Sequence, residues 1–174
     1  MIELNADALV LRFPEVHDDA VARVDFQRTL RIPDDGTTHF LPPGLGSFPL
    51  RHVDDFAERV PADWSRHGGV MLPMYQAEAM WMNFSSHGGA GAPAYPIALK
   101  IATGRIDAIS GEEWTGTLGA DPQDYVVVPE QPWLDGFCVG KGVIRQFVAM
   151  TLGAGYSVEE QVTGRGAFGG AQIM

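Results

Sequence analysis

The sequence predicts a mainly β (β-rich α+β) single domain, sandwich or barrel-like, with one or two short helices. Three observations carry this. Residues 24 to 32 alternate apolar and polar, the period of a half-buried strand. Twenty-one glycines and 12 prolines in 174 residues punctuate the chain too often for long helices. The apolar runs, such as DYVVVP at 124 to 129, are short and β-branched, as buried strands are. A chain of this length buries roughly 70% of its unfolded surface, so one core suffices without a metal or disulfide staple.

In chain order, Val24, Phe26, Leu30 and Ile32 share one side of a predicted strand, with Arg28 breaking the face. Pro33-Asp34-Asp35-Gly36 reads as a turn, and Thr37 to Leu41 as the returning strand of a hairpin. LPPGLGSFPL (41 to 50) is an apolar crossing loop, because its prolines and glycines forbid a regular element. In HVDDFAERV (52 to 60), Val53, Phe56, Ala57 and Val60 line one face of a predicted helix stopped by Pro61.

VMLPMYQ reads as a strand interrupted by proline and EAMWMNFSS as a second strand, although QAEAMWM could form a helical turn. GGAGAPAYP (88 to 96) reads as a flexible connection, and IALKIATG with RIDAISG as a strand pair or one bent strand. GVIRQFVAMTLG (142 to 153) is apolar on both faces, as a central strand would be. SVEE at 157 to 160 fits a capping box, so SVEEQVTG is a short helix ended by Gly164. The chain ends on the strand-like GGAQIM, which fits a domain belonging to a longer architecture or a last strand that pairs with a neighbour.

Composition narrows the function. A formal net charge of −10 opposes phosphate neutralisation, so neither nucleic acid nor an anionic membrane surface is an expected partner. No apolar stretch is long enough for a transmembrane helix. The N-terminus carries acids where a signal peptide carries basic residues. Cys138 is the only cysteine, which excludes an intramolecular disulfide. A cytoplasmic location is the expectation.

Several constellations invite chemistry. HGGVMLPMYQAEAMWMNFSSHGG (67 to 89) brackets a methionine-rich run with two His-Gly-Gly triplets. Such a triplet can form part of an oxyanion hole, but no G-x-S-x-G nucleophile elbow accompanies it. The expected roles are turns at the glycines, surface positions for His67 and His87, and core packing for Met71, Met74, Met80 and Met82 against Tyr75 and Trp81. His52, Asp55 and Glu58 would share a helical face, yet no spacing matches a zinc or calcium site, so no metal is expected. The acids Glu112-Glu113 and Glu159-Glu160 read as solvated surface rather than a glycosidase pair.

DGFCVGKGVIRQF (135 to 147) is the most suggestive stretch. Gly136, Gly140 and Gly142 surround Cys138 and Lys141, an arrangement that could cradle an anion. It lacks the hydroxyl residue of a P-loop and leads into a strand rather than a helix. A β-turn or bulge is the plainer reading. Trp114, Trp133, Tyr125 and Phe137 could line a carbohydrate or ligand groove, and interfaces favour the same Trp, Tyr, Met and Arg types.

The motifs FQRTLRIPDDG, LPPGLGSFPL, GGVMLPMYQAEAMW, QDYVVVPEQPWLDG and GKGVIRQFVAMTLGAGYSVEEQVTG, with GGAQI, resemble a family of uncharacterised proteins of bacteria and some fungi. The resemblance covers most of residues 24 to 173 and implies no activity, cofactor or site residue. The expected function is a non-enzymatic structural or protein-interaction module that self-associates, with no catalytic residue and no cofactor. The alternative is a small-molecule-binding protein or enzyme whose pocket is formed by Trp133, Phe137, Cys138, Lys141 and Arg145. A carbohydrate-binding module is a third possibility, resting on tryptophan content.

Overall fold

The computed structural model describes residues 1–33, 35–86, 88, 93–140 and 142–174. It opens with a hairpin, β1 (Ile2–Asn5) and β2 (Ala8–Arg12), turned by Ala6 and Asp7, both at positive φ. Such a turn matches the right-handed strand twist. Next come β3 (Val21–Thr29), β4 (Arg51–His52), a 3-10 turn (Asp54–Phe56), α1 (Ala62–His67) and β5 (Val70–Met71). β6 (Ala79–Ser85), β7 (Ile97–Leu99), β8 (Ile101–Thr103), β9 (Ile106–Asp107) and β10 (Val126–Val128) follow. The chain closes with β11 (Trp133–Leu134), β12 (Gly136–Gly140), β13 (Val143–Val148), α2 (Val158–Thr163) and β14 (Ala171–Ile173).

One large sheet has the order β1-β2-β3-β6-β13-β12, with β11 also beside β6. Smaller sheets pair β10 with β7, β14 with β8 and β9, and β4 with β5. All the pairings are antiparallel. Among the described residues no sheet closes into a barrel. One apolar cluster joins Val24, Phe26, Met82 and Phe84 of the large sheet to Leu99, Ile101 and Val128 of the small ones. The β-rich α+β class predicted from the sequence is therefore the observed one, with the core between sheets.

Alternation in β3 places Val24 and Phe26 inward, as expected, and extends the buried side to Ala22. The predicted return strand at 37 to 41 does not form. β3 instead lies between β2 and β6, and residues 45 to 48 extend the β2 side through hydrogen bonds to Phe26 and Arg28. The crossing loop thus supplies what the hairpin would have supplied, and it buries Phe48 and Leu50 completely. Leu30 is exposed, because the strand has ended at Thr29.

The helix predicted over 52 to 60 is also not formed. His52 pairs with Val70, and the Val53 N–H donates to the Gly69 carbonyl, so the backbone is extended where the helix would begin. Only the 3-10 turn follows. Pro61 starts α1 rather than ending a helix, since proline needs no partner for an N–H at a helix entrance. The capping box is formed as predicted: Ser157 Oγ accepts from the Glu160 N–H, Glu160 receives the Ser157 N–H, and Gly164 ends α2 in the left-handed conformation.

β13 is not central along its length. Phe147 and Val148 lie beside β6, but further along β6 the neighbour is β11, facing Met82 and Asn83. The β12–β13 hairpin therefore leaves the sheet, and Val143 and Ile144 are exposed rather than buried. β14 pairs with β8 of its own chain.

Candidate functional site

The described residues of the predicted pocket differ in burial and in what they face. Trp133 faces Asn83 across the β11–β6 pair and is 45% exposed. Phe137 is buried edge-on against Phe147, with ring centroids 4.9 Å apart. Its cross-strand partner Arg145 is exposed. Cys138 is half-buried and faces Ile144, and its thiol donates to the Gly140 carbonyl at 3.4 Å. Lys141 lies outside the described residues. Gly136 is required sterically: a Cβ there would stand 1.9 Å from the Arg145 carbonyl oxygen. The Cys138–Gly140 step carries a register shift, matching the bulge reading of this glycine-rich run.

Where the hairpin leaves the sheet, a hollow of about 570 Å³ opens. Tyr125, Val127, Leu134, Cys138 and Ile144 line it, with Gln123, Glu130 and Gln131 contributing amides and one carboxylate. Of the four predicted pocket residues that are described, only Cys138 lines this hollow. Among the described residues no histidine lines it, and its one carboxylate is that of Glu130.

The buried charges lie elsewhere. Lys100, 1% exposed, donates from Nζ to Asp124 Oδ2 at 2.5 Å, to Thr115 Oγ1 at 2.7 Å and to the Thr117 carbonyl at 2.8 Å. An ammonium has three hydrogens, and all three are used. The Trp114 ring lies 5.2 Å from Nζ. Asp124 also accepts the Gly119 N–H at 2.7 Å. The bond from Lys100 holds the Asp124 carboxyl below its ordinary range, against the opposing effect of burial. The sequence carries a signal for this pair: Lys100 interrupts the apolar run IALKIA, and Asp124 opens DYVVV. Asp107 is equally buried; Oδ1 accepts the N–H groups of Ile109 and Ser110, while Oδ2 has no partner among the described residues.

Glu159, expected on the surface, is buried. Its carboxylate accepts the N–H groups of Ala167, Phe168 and Gly169 at 2.8 to 2.9 Å. Burial opposes the charge, yet these three donors together bring its pKa below the usual value. Asp35, Thr37 and His39 gather in an exposed turn, where Thr37 Oγ1 lies 2.8 Å and Asp35 Oδ1 3.0 Å from the same nitrogen, His39 Nε2. A nucleophile–base–acid relay needs the hydroxyl and carboxylate on opposite ring nitrogens. This cluster is a turn lock that lowers the Asp35 pKa, chiefly through the Thr37 hydroxyl and His39.

The methionine-rich run divides as expected in part. Met80 and Met82 are core, Met71 and Met74 half-buried, and Tyr75 is exposed rather than packed inside. Gly68 and Gly69 adopt positive φ, and His67 lies at the surface, bonded to the Asp63 carbonyl. His87 lies outside the described residues. Among the described residues no three His, Cys, Asp or Glu side chains are arranged to hold a metal, and no helix is long and apolar enough to cross a membrane.

These features define a β-rich sheet domain with an open apolar hairpin and no assembled set of reacting groups among the described residues. Comparison with protein-family models, with curated proteins and with solved structures finds no match.

Proposed function

We propose that this protein is a non-enzymatic structural or interaction module that self-associates through the β12–β13 hairpin. The carrying observation is the exposure of Val139 (52%), Val143 (54%) and Ile144 (47%) on a hairpin that has left its parent sheet. A second copy is the occupant that best suits it. A strand edge pairs with an identical edge about a two-fold axis, and apolar contact requires no opposite charge from a chain of net charge −10. The same charge favours a protein partner over nucleic acid. The single thiol is in keeping with a cytoplasmic location. Kinship with the bacterial and fungal family that the sequence resembles belongs to this proposal and adds no activity to it.

Sedimentation equilibrium at micromolar concentration tests the reading. The expected species is a dimer that becomes a monomer in the double variant Val143→Lys, Ile144→Glu. A wild-type monomer across that range overturns it. A second reading has one observation of its own, the hollow behind the hairpin. A small apolar ligand held there would contact Tyr125, Leu134 and Cys138. Protection of Cys138 from alkylation by such a ligand is the result that reading expects.

A further inference from the structure

The outer face of the large sheet has a different chemistry from the hairpin, and from it the geometry points to a saccharide-binding platform centred on Asp25, Asn83 and Trp133. These residues lie in one row across three adjacent strands: Asp25 of β3 faces Asn83 of β6, and Asn83 faces Trp133 of β11. Directly opposed residues in antiparallel strands share a face. The neighbouring pair Leu134 and Met82 is buried in the core, so the row points outward. Two strand spacings, about 10 Å, separate the carboxylate end from the indole end, the reach of one or two sugar rings.

The polar end is pre-set. Asn83 Nδ2 donates to Asp25 Oδ2 at 2.9 Å, and Gln27 Nε2 donates both to Asp25 Oδ1 and to Ser47 Oγ. Each Asp25 oxygen thus receives one amide hydrogen and keeps lone-pair capacity. Among the described residues the second Nδ2 hydrogen and the Oδ1 of Asn83 have no hydrogen-bond partner. A fixed carboxylate beside an amide with one donor and one acceptor free matches vicinal hydroxyls, which both donate and accept. Trp133 at the other end is 45% exposed, and the negative quadrupole of an indole face attracts the C–H groups of a pyranose. All three side chains are at least partly open to solvent. The carboxylate disfavours phosphorylated ligands and leaves neutral sugars as the matching class. The platform does not depend on self-association.

The test is calorimetric titration of the full chain with cello-, xylo-, manno- and chito-oligosaccharides, followed by proton–nitrogen NMR of the indole N–H groups. One of these probes is expected to bind saturably with a Kd of about 1 mM or tighter and to shift the Trp133 indole signal. Trp133→Ala and Asn83→Ala should each weaken that binding at least tenfold. Trp64→Ala, which removes an exposed tryptophan of α1, should leave it unchanged. Trp133 is exposed, so its removal leaves the core intact, and circular dichroism checks this. Absence of saturable binding by every probe at about 10 mM overturns the proposal. Binding that survives both Trp133→Ala and Asn83→Ala also overturns it.

Discussion

The layer of small sheets and the β12–β13 hairpin invert the usual arrangement in opposite ways. The first buries charge: Lys100, Asp107, Asp124 and Glu159 are all inside. The second exposes Val139, Val143 and Ile144. The buried ammonium has used all its donors, and the Glu159 carboxylate meets three backbone N–H groups. The partners for these groups come from the chain itself. On the hairpin Phe137 and Phe147 pack on each other inside, while Val139, Val143 and Ile144 keep about half of their surface open to solvent. The lesson is that burial of a charge marks structure when its hydrogen bonds are complete, and that an exposed apolar edge is the better pointer to an external contact.

The sharpest way to break this comparison is Asp124→Ala, which strands the Lys100 ammonium. A buried charge left without its partner costs about 3–5 kcal/mol, read as a lower urea midpoint with the association state of the folded fraction unchanged. A folded variant of wild-type stability would remove the structural reading of the pair. Glu159→Ala comes next, leaving three N–H groups of the 167–169 loop without their acceptor, for an expected loss of about 2–4 kcal/mol.

The pH dependence follows from the same two carboxylates. Both have pKa values below their ordinary 3.8 (Asp124) and 4.5 (Glu159). Their stabilisation is therefore complete above those ordinary values. It is lost as pH falls through the depressed folded-state values, because the unfolded chain takes up protons first. Urea midpoints should decline as the pH drops below about 4.5, and Glu159→Gln should flatten that slope.

Ser157→Ala removes the α2 cap at an expected cost of about 1 kcal/mol. The smallest stability effect belongs to Val143→Lys with Ile144→Glu, within about 0.5 kcal/mol per site, although these changes are expected to abolish the dimer. If they instead unfold the chain, the hairpin belongs with the core and the contrast fails.

Local signals were legible where one stretch of chain satisfies itself. The capping box at Ser157 and Glu160 closes within four residues, and the alternation read over 24 to 32 holds at Val24 and Phe26 and stops where β3 ends at Thr29. The helix expected over 52 to 60 failed because its apolar face competes with cross-strand pairing of His52 to Val70, a partner 18 positions away. The β1–β2 hairpin carries no glycine signal in the sequence, because Ala6 and Asp7 make its positive-φ turn. Within the candidate pocket, sequence proximity grouped Phe137 with Cys138, although one is buried against Phe147 and the other faces a hollow.

The amino-acid order by itself determined the β-rich class, the glycine and proline corners, the α2 cap and the acidic balance, since each depends on composition or on neighbours along the chain. Tertiary structure alone decided that Lys100 meets Asp124, that Glu159 is buried, that Asp25, Asn83 and Trp133 form one row, and that the β12–β13 hairpin diverges from β6. Those outcomes depend on which strand lies beside which, and strand pairing is settled by the competition of many distant edges for the same hydrogen bonds.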